Sequence, residues 1–190
     1  MRTARQMAVA SVVIAASAHV GALAQDKPPR EVLHDLMLDI DRDGLMDRAV
    51  LVRQSDNAYV DLWVYLRNGD EPFDLSRRPS FVKASLTADP ILAFESKGMG
   101  SLTIRYGRGG NNHCEMSLTI VHRRGRFLVA GFASSWDTLR WGIGSCDINF
   151  LTGRGVASRG LARARPLKER FSPIKLEAWS EYRQPRACTS

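Results

Sequence analysis

The sequence is poor in the residues that zinc proteins and nucleophilic hydrolases need. Its 190 residues include three cysteines and four histidines, and neither a CxxC nor an HxxxH spacing occurs. Structural zinc sites take closely spaced ligand pairs of these kinds, so a zinc site is not expected. A GxSxG motif is also missing, and no motif places a serine or cysteine beside His113 or His122. Nucleophilic catalysis therefore has no support in the sequence.

Long apolar runs are scarce as well. After residue 24 no run approaches the roughly 18 apolar residues that a membrane-spanning helix requires. Residues 1–24 have the pattern of an export signal, with basic residues Arg2 and Arg5, an apolar run over 7–18 and small residues before Gln25. We expect cleavage before Gln25, which gives a periplasmic or secreted chain without a transmembrane span. An uncleaved N-terminal anchor is the alternative.

Acidic residues are fewer than basic residues. Lys and Arg number 27 against 20 Asp and Glu, which gives a formal net charge of +7 and a pI near 9.8. The segment 151–190 is strongly basic, with nine basic and three acidic side chains. A second basic group, Arg123, Arg124 and Arg126, surrounds a predicted turn and forms a candidate partner surface. Export separates the chain from nucleic acid, so we expect no nucleic-acid partner and favour an acidic protein or an anionic envelope polymer.

The three cysteines, Cys114, Cys146 and Cys188, allow a disulfide once the chain is in an oxidising compartment. Sequence alone leaves three pairings open. We favour Cys146 with Cys188, because this bridge would join the basic C-terminal segment to the body and close a loop of about 40 residues. Cys114 would then be a free thiol, and three unpaired cysteines are the alternative.

Strand patterns dominate after a short predicted helix. Apolar residues at 32, 33, 36 and 37, preceded by two prolines, predict an amphipathic helix over 31–38. Turn clusters at 54–57 and at Arg124-Gly125 predict two hairpins. Apolar, aromatic and β-branched runs predict strands at 48–52, 59–66, 81–86, 91–94, 101–106, 116–123 and 126–134. Residues 107–112 and 153–166 are expected to be loops, and 175–181 a short helix or strand.

This pattern predicts a mainly β chain folded as a single antiparallel β domain, either a sandwich or a curved meander. The domain would span 25–150, with the basic segment 151–190 packed on it. A closed propeller is not expected, because it needs about four blades or more and the chain is too short for them.

The most specific chemical pattern is the acidic run Asp39-Ile40-Asp41-Arg42-Asp43-Gly44-Leu45-Met46-Asp47. Carboxylates at its positions 1, 3, 5 and 9, with glycine at position 6 for a sharp bend, suit calcium, which takes about six to eight oxygen ligands. The backbone carbonyl at position 7 is a further expected ligand. The sequence therefore predicts a Ca²⁺ site formed by Asp39, Asp41, Asp43, Leu45 and Asp47. A solvated acidic turn is the alternative.

The acidic run departs from the EF-hand pattern, because position 12 is Val50 rather than glutamate and the residues around it predict a strand. It resembles instead the DxDxDGxxD calcium loops of integrin-type FG-GAP repeats, over residues 39–52. The resemblance implies the same five ligands. Integrin-type proteins carry several copies of this loop, whereas this chain has one. A propeller fold and an adhesive role are therefore not implied. Without the glutamate, we expect a dissociation constant of about 10⁻⁴ to 10⁻³ M and a structural role.

Residues 100–102, 118–132 and 145–153 resemble a group of exported bacterial proteins to which no activity is assigned. That resemblance implies export alone. We therefore expect an exported, non-enzymatic β domain that is stabilised by calcium and acts as a binding or envelope-associated protein. A periplasmic hydrolase with an unrecognised site is the alternative. Asp137 and Asp147 are conceivable as a glycosidase pair, but their separation in sequence does not give the carboxylate distance that this chemistry requires, so the pair is not expected.

Overall fold

The structure is a computed structural model, and it describes residues 30–54, 58–69, 77–98, 100–139 and 142–188. The predicted export signal lies outside these residues. Across the described ranges no helix is long and apolar enough to cross a membrane. The strands are β1 (Arg30–Leu38), β2 (Asp47–Gln54), β3 (Val60–Tyr65), β4 (Phe81–Thr87), β5 (Ile91–Ser96), β6 (Ser101–Arg108), β7 (Asn112–Arg123), β8 (Arg126–Thr138), β9 (Gly142–Asn149), β10 (Arg154–Arg159), β11 (Arg165–Pro166) and β12 (Ile174–Lys175). Short 3₁₀ helices follow at Leu176–Ala178, Glu181–Arg183 and Arg186–Cys188.

The strands form two antiparallel sheets. The small sheet has the order β1-β2-β3-β4, and the large sheet has the order β11-β10-β9-β8-β7-β6-β5, with β12 paired to β8. The chain is therefore mainly β and antiparallel, as predicted. Both predicted hairpins are confirmed, because β2 pairs with β3, and β7 pairs with β8 up to Arg123 opposite Arg126.

The predicted N-terminal helix is wrong, because its residues form strand β1. This strand pairs antiparallel with β2 along its length, with a bulge between Val32 and His34. The bulge shifts the side-chain alternation by one residue, so Leu33 and Leu36 both pack on the core at a spacing that resembles a helix face. Val32 and Met37 remain nearly half exposed. Hydrogen bonding to a partner strand therefore outweighs the local spacing pattern.

The predicted loop over 153–166 is also wrong, because it contains β10 and β11. Strand β9, just before it, was not predicted either. These strands carry many small and polar side chains, and β10 pairs with β9 over six consecutive positions. Between them the hydroxyl groups of Ser145 and Ser158 lie 2.8 Å apart. Backbone pairing with a neighbouring strand therefore forms these elements without an alternating apolar pattern.

One hydrophobic core is shared by the two sheets. Leu51 and Leu62 of the small sheet belong to the same fully buried cluster as Ile104 and Leu118 of the large sheet. The C-terminal segment adds three more buried side chains to this core. They are Leu176, Trp179 and Cys188.

The predicted disulfide between Cys146 and Cys188 is present, and Cys114 is a free thiol. Both bridged cysteines are buried, and their Cα atoms are 5.1 Å apart. The bridge joins β9 to the last 3₁₀ helix across a sequence separation of 42. It therefore ties the C-terminal segment to the large sheet, as the sequence argument expects.

Candidate metal centre and arginine cleft

Three aspartates of the loop between β1 and β2 converge on one point. Asp39, Asp41 and Asp43 each offer a carboxylate oxygen, and these oxygens lie within 4.8 Å of one another. The Gly44 amide donates to Asp39 Oδ2 at 3.2 Å, and the Leu45 amide donates to Asp43 Oδ1 at 2.7 Å. The backbone of the loop therefore holds three of the predicted ligands where one cation would contact them all.

The other carboxylate oxygen of Asp39 lacks a partner. Asp39 Oδ1 is buried and accepts no hydrogen bond from any described residue. A buried polar atom without a partner costs about 1 to 3 kcal/mol, and more when it carries charge. The nearby carboxylates of Asp41 and Asp43 add repulsion. A bound cation would supply the missing partner and relieve the repulsion, so the residues present fit a metal ion.

Asp47, the fourth predicted carboxylate ligand, lies outside this group of three. It is fully buried, and its two carboxylate oxygens accept hydrogen bonds from the Ile40 amide and the Arg67 amide, each at 2.8 Å. Burial raises the pKa of Asp47 and the nearby charge of Asp41 adds to the rise, while the amides of Arg67, Ile40 and Asp41 oppose it. Asp47 therefore joins the acidic loop to the segment after β3. Metal coordination by Asp47 and by the carbonyl of Leu45 stays a prediction.

The acidic loop lies at the junction of the two sheets. Ile40 is fully buried in the shared core. On the large-sheet side, Gly100 has a left-handed backbone (φ 64°) in the turn before β6. A Cβ atom at this position would lie 2.9 Å from the Ile40 carbonyl oxygen and 3.0 Å from the Asp39 carbonyl oxygen. This close approach requires glycine, and it links the acidic loop to both sheets.

A cleft of about 870 Å³ opens beside the three aspartates, and we call it the arginine cleft. The predicted partner surface lies here, because Arg123, Arg124 and Arg126 all line the cleft and are exposed. Arg42 was not predicted as part of this surface, because no local pattern connects it to a hairpin so far along the chain. Among the described residues, the lining is Asp41, Arg42, His122, Arg123, Arg124, Arg126, Leu128, Leu151 and Pro173.

The hairpin that carries these arginines is anchored in the core. Phe127 follows Arg126 and is buried. Its ring centroid lies 4.5 Å from that of Phe81 and 4.8 Å from that of His122. Phe81 belongs to β4 of the small sheet and Phe127 to β8 of the large sheet, so this stacking also links the sheets. The arginine side chains therefore extend from a fixed base.

The aspartates of the glycosidase hypothesis are far apart. Asp137 lies opposite Ile143, and Asp147 lies opposite Ala133 four positions further along the same pair of strands. At the usual rise per residue this offset is about 13 Å along the strands. Glycosidase carboxylates are separated by about 5 to 9.5 Å, so the two aspartates do not form such a pair.

Comparison with known proteins identifies no relative. The chain matches no protein-family model, no curated protein and no solved structure. The resemblance of residues 39–52 to FG-GAP loops therefore stays an expectation, and the geometry of the loop and cleft is the basis for assigning a function.

Proposed function

We propose that the chain is an exported, non-enzymatic β domain that binds one Ca²⁺ ion between Asp39, Asp41 and Asp43 and is stabilised by it. The observation that carries this proposal is the convergence of three carboxylate oxygens on a loop where Asp39 Oδ1 is buried and has no partner in the described part of the chain. The ion fixes the acidic loop where it meets Gly100. Its role is to hold the two sheets together.

The donor set favours calcium. Carboxylate and carbonyl oxygens suit hard cations, whereas soft thiolate ligands select zinc or copper(I). Magnesium requires near-ideal octahedral geometry, while calcium accepts about six to eight oxygens in a flexible arrangement. The carbonyl of Leu45, the carboxylate of Asp47 and water complete the proposed coordination.

Two features support a periplasmic or secreted location. The disulfide between Cys146 and Cys188 is buried, and structural disulfides form and persist in oxidising compartments. The pattern of residues 1–24 supplies the signal that would carry the chain there.

The arginine cleft supports a binding role with an anionic partner. Among the described residues, its lining has four arginines and one carboxylate, that of Asp41. A surplus of positive charge attracts anions to a surface and raises the rate at which they bind. We propose an anionic partner for this cleft, a class that includes the acidic proteins and anionic envelope polymers expected from the sequence.

Thermal unfolding of the purified protein in calcium and in chelator tests the calcium assignment. With a dissociation constant of about 10⁻⁴ to 10⁻³ M, about 10 mM calcium stabilises the folded state by about 1.4 to 2.7 kcal/mol. The expected rise in melting temperature is about 3 to 10 °C. Asp43→Ala should abolish the rise, because it removes both side-chain oxygens of one of the three converging residues, whereas asparagine would keep a carbonyl oxygen that calcium accepts.

The matched control is Asp137→Ala, at an exposed aspartate on the large sheet that lies outside the cluster. This variant should keep the full response to calcium. Equal melting temperatures in calcium and chelator would refute the assignment, and so would a response that survives Asp43→Ala.

A further inference from the structure

We propose that the arginine cleft binds a phosphate-bearing ligand, and that calcium on the adjacent aspartates strengthens this binding. The phosphate binding rests on the cleft alone. The effect of calcium on that binding rests on the calcium site of the proposed function. The ligand is a phosphate ester whose organic part is small enough to enter a cleft of about 870 Å³.

Three arginines of the cleft come from one hairpin tip and have no acidic partner in the described part of the chain. Arg123, Arg124 and Arg126 form no ion pair with any described residue. Like charges on one short hairpin tip repel one another, and an anion bound among them reduces that repulsion. Arg154 and Arg159 of β10 form no ion pair with a described residue either, so the shared cleft is what distinguishes the three hairpin arginines.

The backbone at one of the cleft arginines also favours a role for its side chain. Arg124 has a φ value of 52°, in the left-handed region. This conformation is unfavourable for a residue with a Cβ atom. Arg124 and Gly125 form a two-residue hairpin turn, a place where asparagine or glycine is strongly preferred at the first position. An arginine at this turn position is explained if its guanidinium group binds a ligand.

The shape of the site favours a phosphate ester over an acidic protein. Guanidinium groups pair with phosphate through two parallel hydrogen bonds, and several can surround one phosphate group. The cleft is concave, and Leu128, Leu151 and Pro173 give it apolar wall as well. An acidic protein would meet a broad surface, whereas this volume is in the range of small-molecule sites. The ester can come from a phospholipid headgroup or from a soluble molecule.

Asp41 connects the cleft to the calcium site. It lines the cleft and also belongs to the group of three converging carboxylates. Without a cation, the negative charge of this group opposes an incoming phosphate. With calcium bound, that charge is neutralised, so phosphate binds more tightly. Coupling of this kind is reciprocal, so phosphate must raise calcium affinity by the same factor, which we expect to be about 5- to 20-fold.

Titration calorimetry with glycerol 3-phosphate, in chelator and in calcium, tests both the phosphate binding and the effect of calcium on it. Arg124→Asn combined with Arg126→Gln should weaken binding at least about 10-fold in chelator, since two guanidinium contacts are lost. Asparagine suits the turn at position 124, so this variant should remain folded, and its melting curve checks that. The matched control is Arg163→Asn, which removes one exposed arginine outside the cleft lining and should leave binding unchanged.

Vesicle binding in chelator distinguishes the two sources of the ester. Binding to vesicles of phosphatidylglycerol and phosphatidylcholine, but not to phosphatidylcholine alone, with displacement by glycerol 3-phosphate, indicates a lipid headgroup. Binding of glycerol 3-phosphate without vesicle binding indicates a soluble ester. Failure to bind either probe would overturn the proposal. Equal affinity for polyglutamate would overturn the phosphate assignment and indicate an acidic protein instead.

The effect of calcium on phosphate binding is measured separately. Asp43→Ala should bind phosphate in chelator at least as tightly as the unaltered protein, because one opposing charge is removed, and it should lose the gain in calcium. Equal phosphate affinity with and without calcium, in a protein that calcium stabilises, would contradict the coupling and leave the proposed function intact. If calcium does not stabilise the protein, the proposed function fails, while phosphate binding in chelator still tests the cleft.

Discussion

Asp43 and Asp47 lie four positions apart and have different roles. Asp43 is exposed and offers its carboxylate to the converging group, whereas Asp47 is fully buried and accepts hydrogen bonds from two backbone amides. The spacing of aspartates predicted the convergence, because all its members lie within one short loop. The role of Asp47 could not be predicted, because it depends on the Arg67 amide beyond the next strand and on burial by the core.

Replacing Asp47 should destabilise the fold even when no calcium is present. Asp47→Ala leaves the buried amide of Ile40 and the partly buried amide of Arg67 without their acceptor, which should cost about 2 to 4 kcal/mol. Urea unfolding in chelator measures this loss. Asp43→Ala is the control and should unfold in chelator nearly as the unaltered protein does. An Asp47→Ala protein as stable as that control would show that the two hydrogen bonds contribute little.

At the scale of elements, the strands with alternating or aromatic sequences were predictable. Both hairpins follow from local turn chemistry, and β7 and β8 have a clear alternation. Strand β1 was mistaken for a helix because a bulge between Val32 and His34 breaks its alternation. Strands β9 and β10 were missed because their small and polar residues form strands only beside a pairing partner. The contact between the acidic loop and the turn at Gly100 is likewise tertiary, and no local sequence pattern predicts it.

That contact predicts the effect of a single methyl group. Gly100→Ala places a Cβ atom against two carbonyl oxygens of the acidic loop and puts alanine in a left-handed backbone conformation. The expected cost is about 1 to 3 kcal/mol, and calcium binding should weaken because the loop is displaced. Chemical denaturation and calcium titration of this variant give both quantities. Gly109→Ala is a control, since no atom lies within 4 Å of a Cβ there and its φ is not positive. Unchanged stability and calcium affinity in Gly100→Ala would contradict the described contact.

At the scale of the whole molecule, one core and one disulfide connect the C-terminal segment to the sheets. Cys146 and Cys188 join β9 to the last 3₁₀ helix, and Trp179 packs its ring 5.2 Å from that of Phe132. Burial, with a smaller effect of the Asp89 charge, raises the pKa of the free Cys114 thiol. The protonated thiol is a poor nucleophile, so Cys114 should leave the disulfide intact.

Removing the disulfide should therefore lower the stability of the whole molecule. The Cys146→Ala and Cys188→Ala double variant should lose about 2 to 4 kcal/mol, mainly because the unfolded chain is released from a closed loop. Thermal unfolding under non-reducing conditions measures the loss. Cys114→Ala is the comparison, and it should unfold close to the unaltered protein. A double variant as stable as Cys114→Ala would show that the bridge does not contribute.

The central claim is that the three converging aspartates bind calcium. Isothermal titration of calcium into chelator-treated protein measures this most directly. The account predicts one ion per chain with a dissociation constant of about 10⁻⁴ to 10⁻³ M, and no binding to Asp43→Ala in the same range. Absence of binding up to about 10 mM calcium, or equal binding by Asp43→Ala, would contradict it.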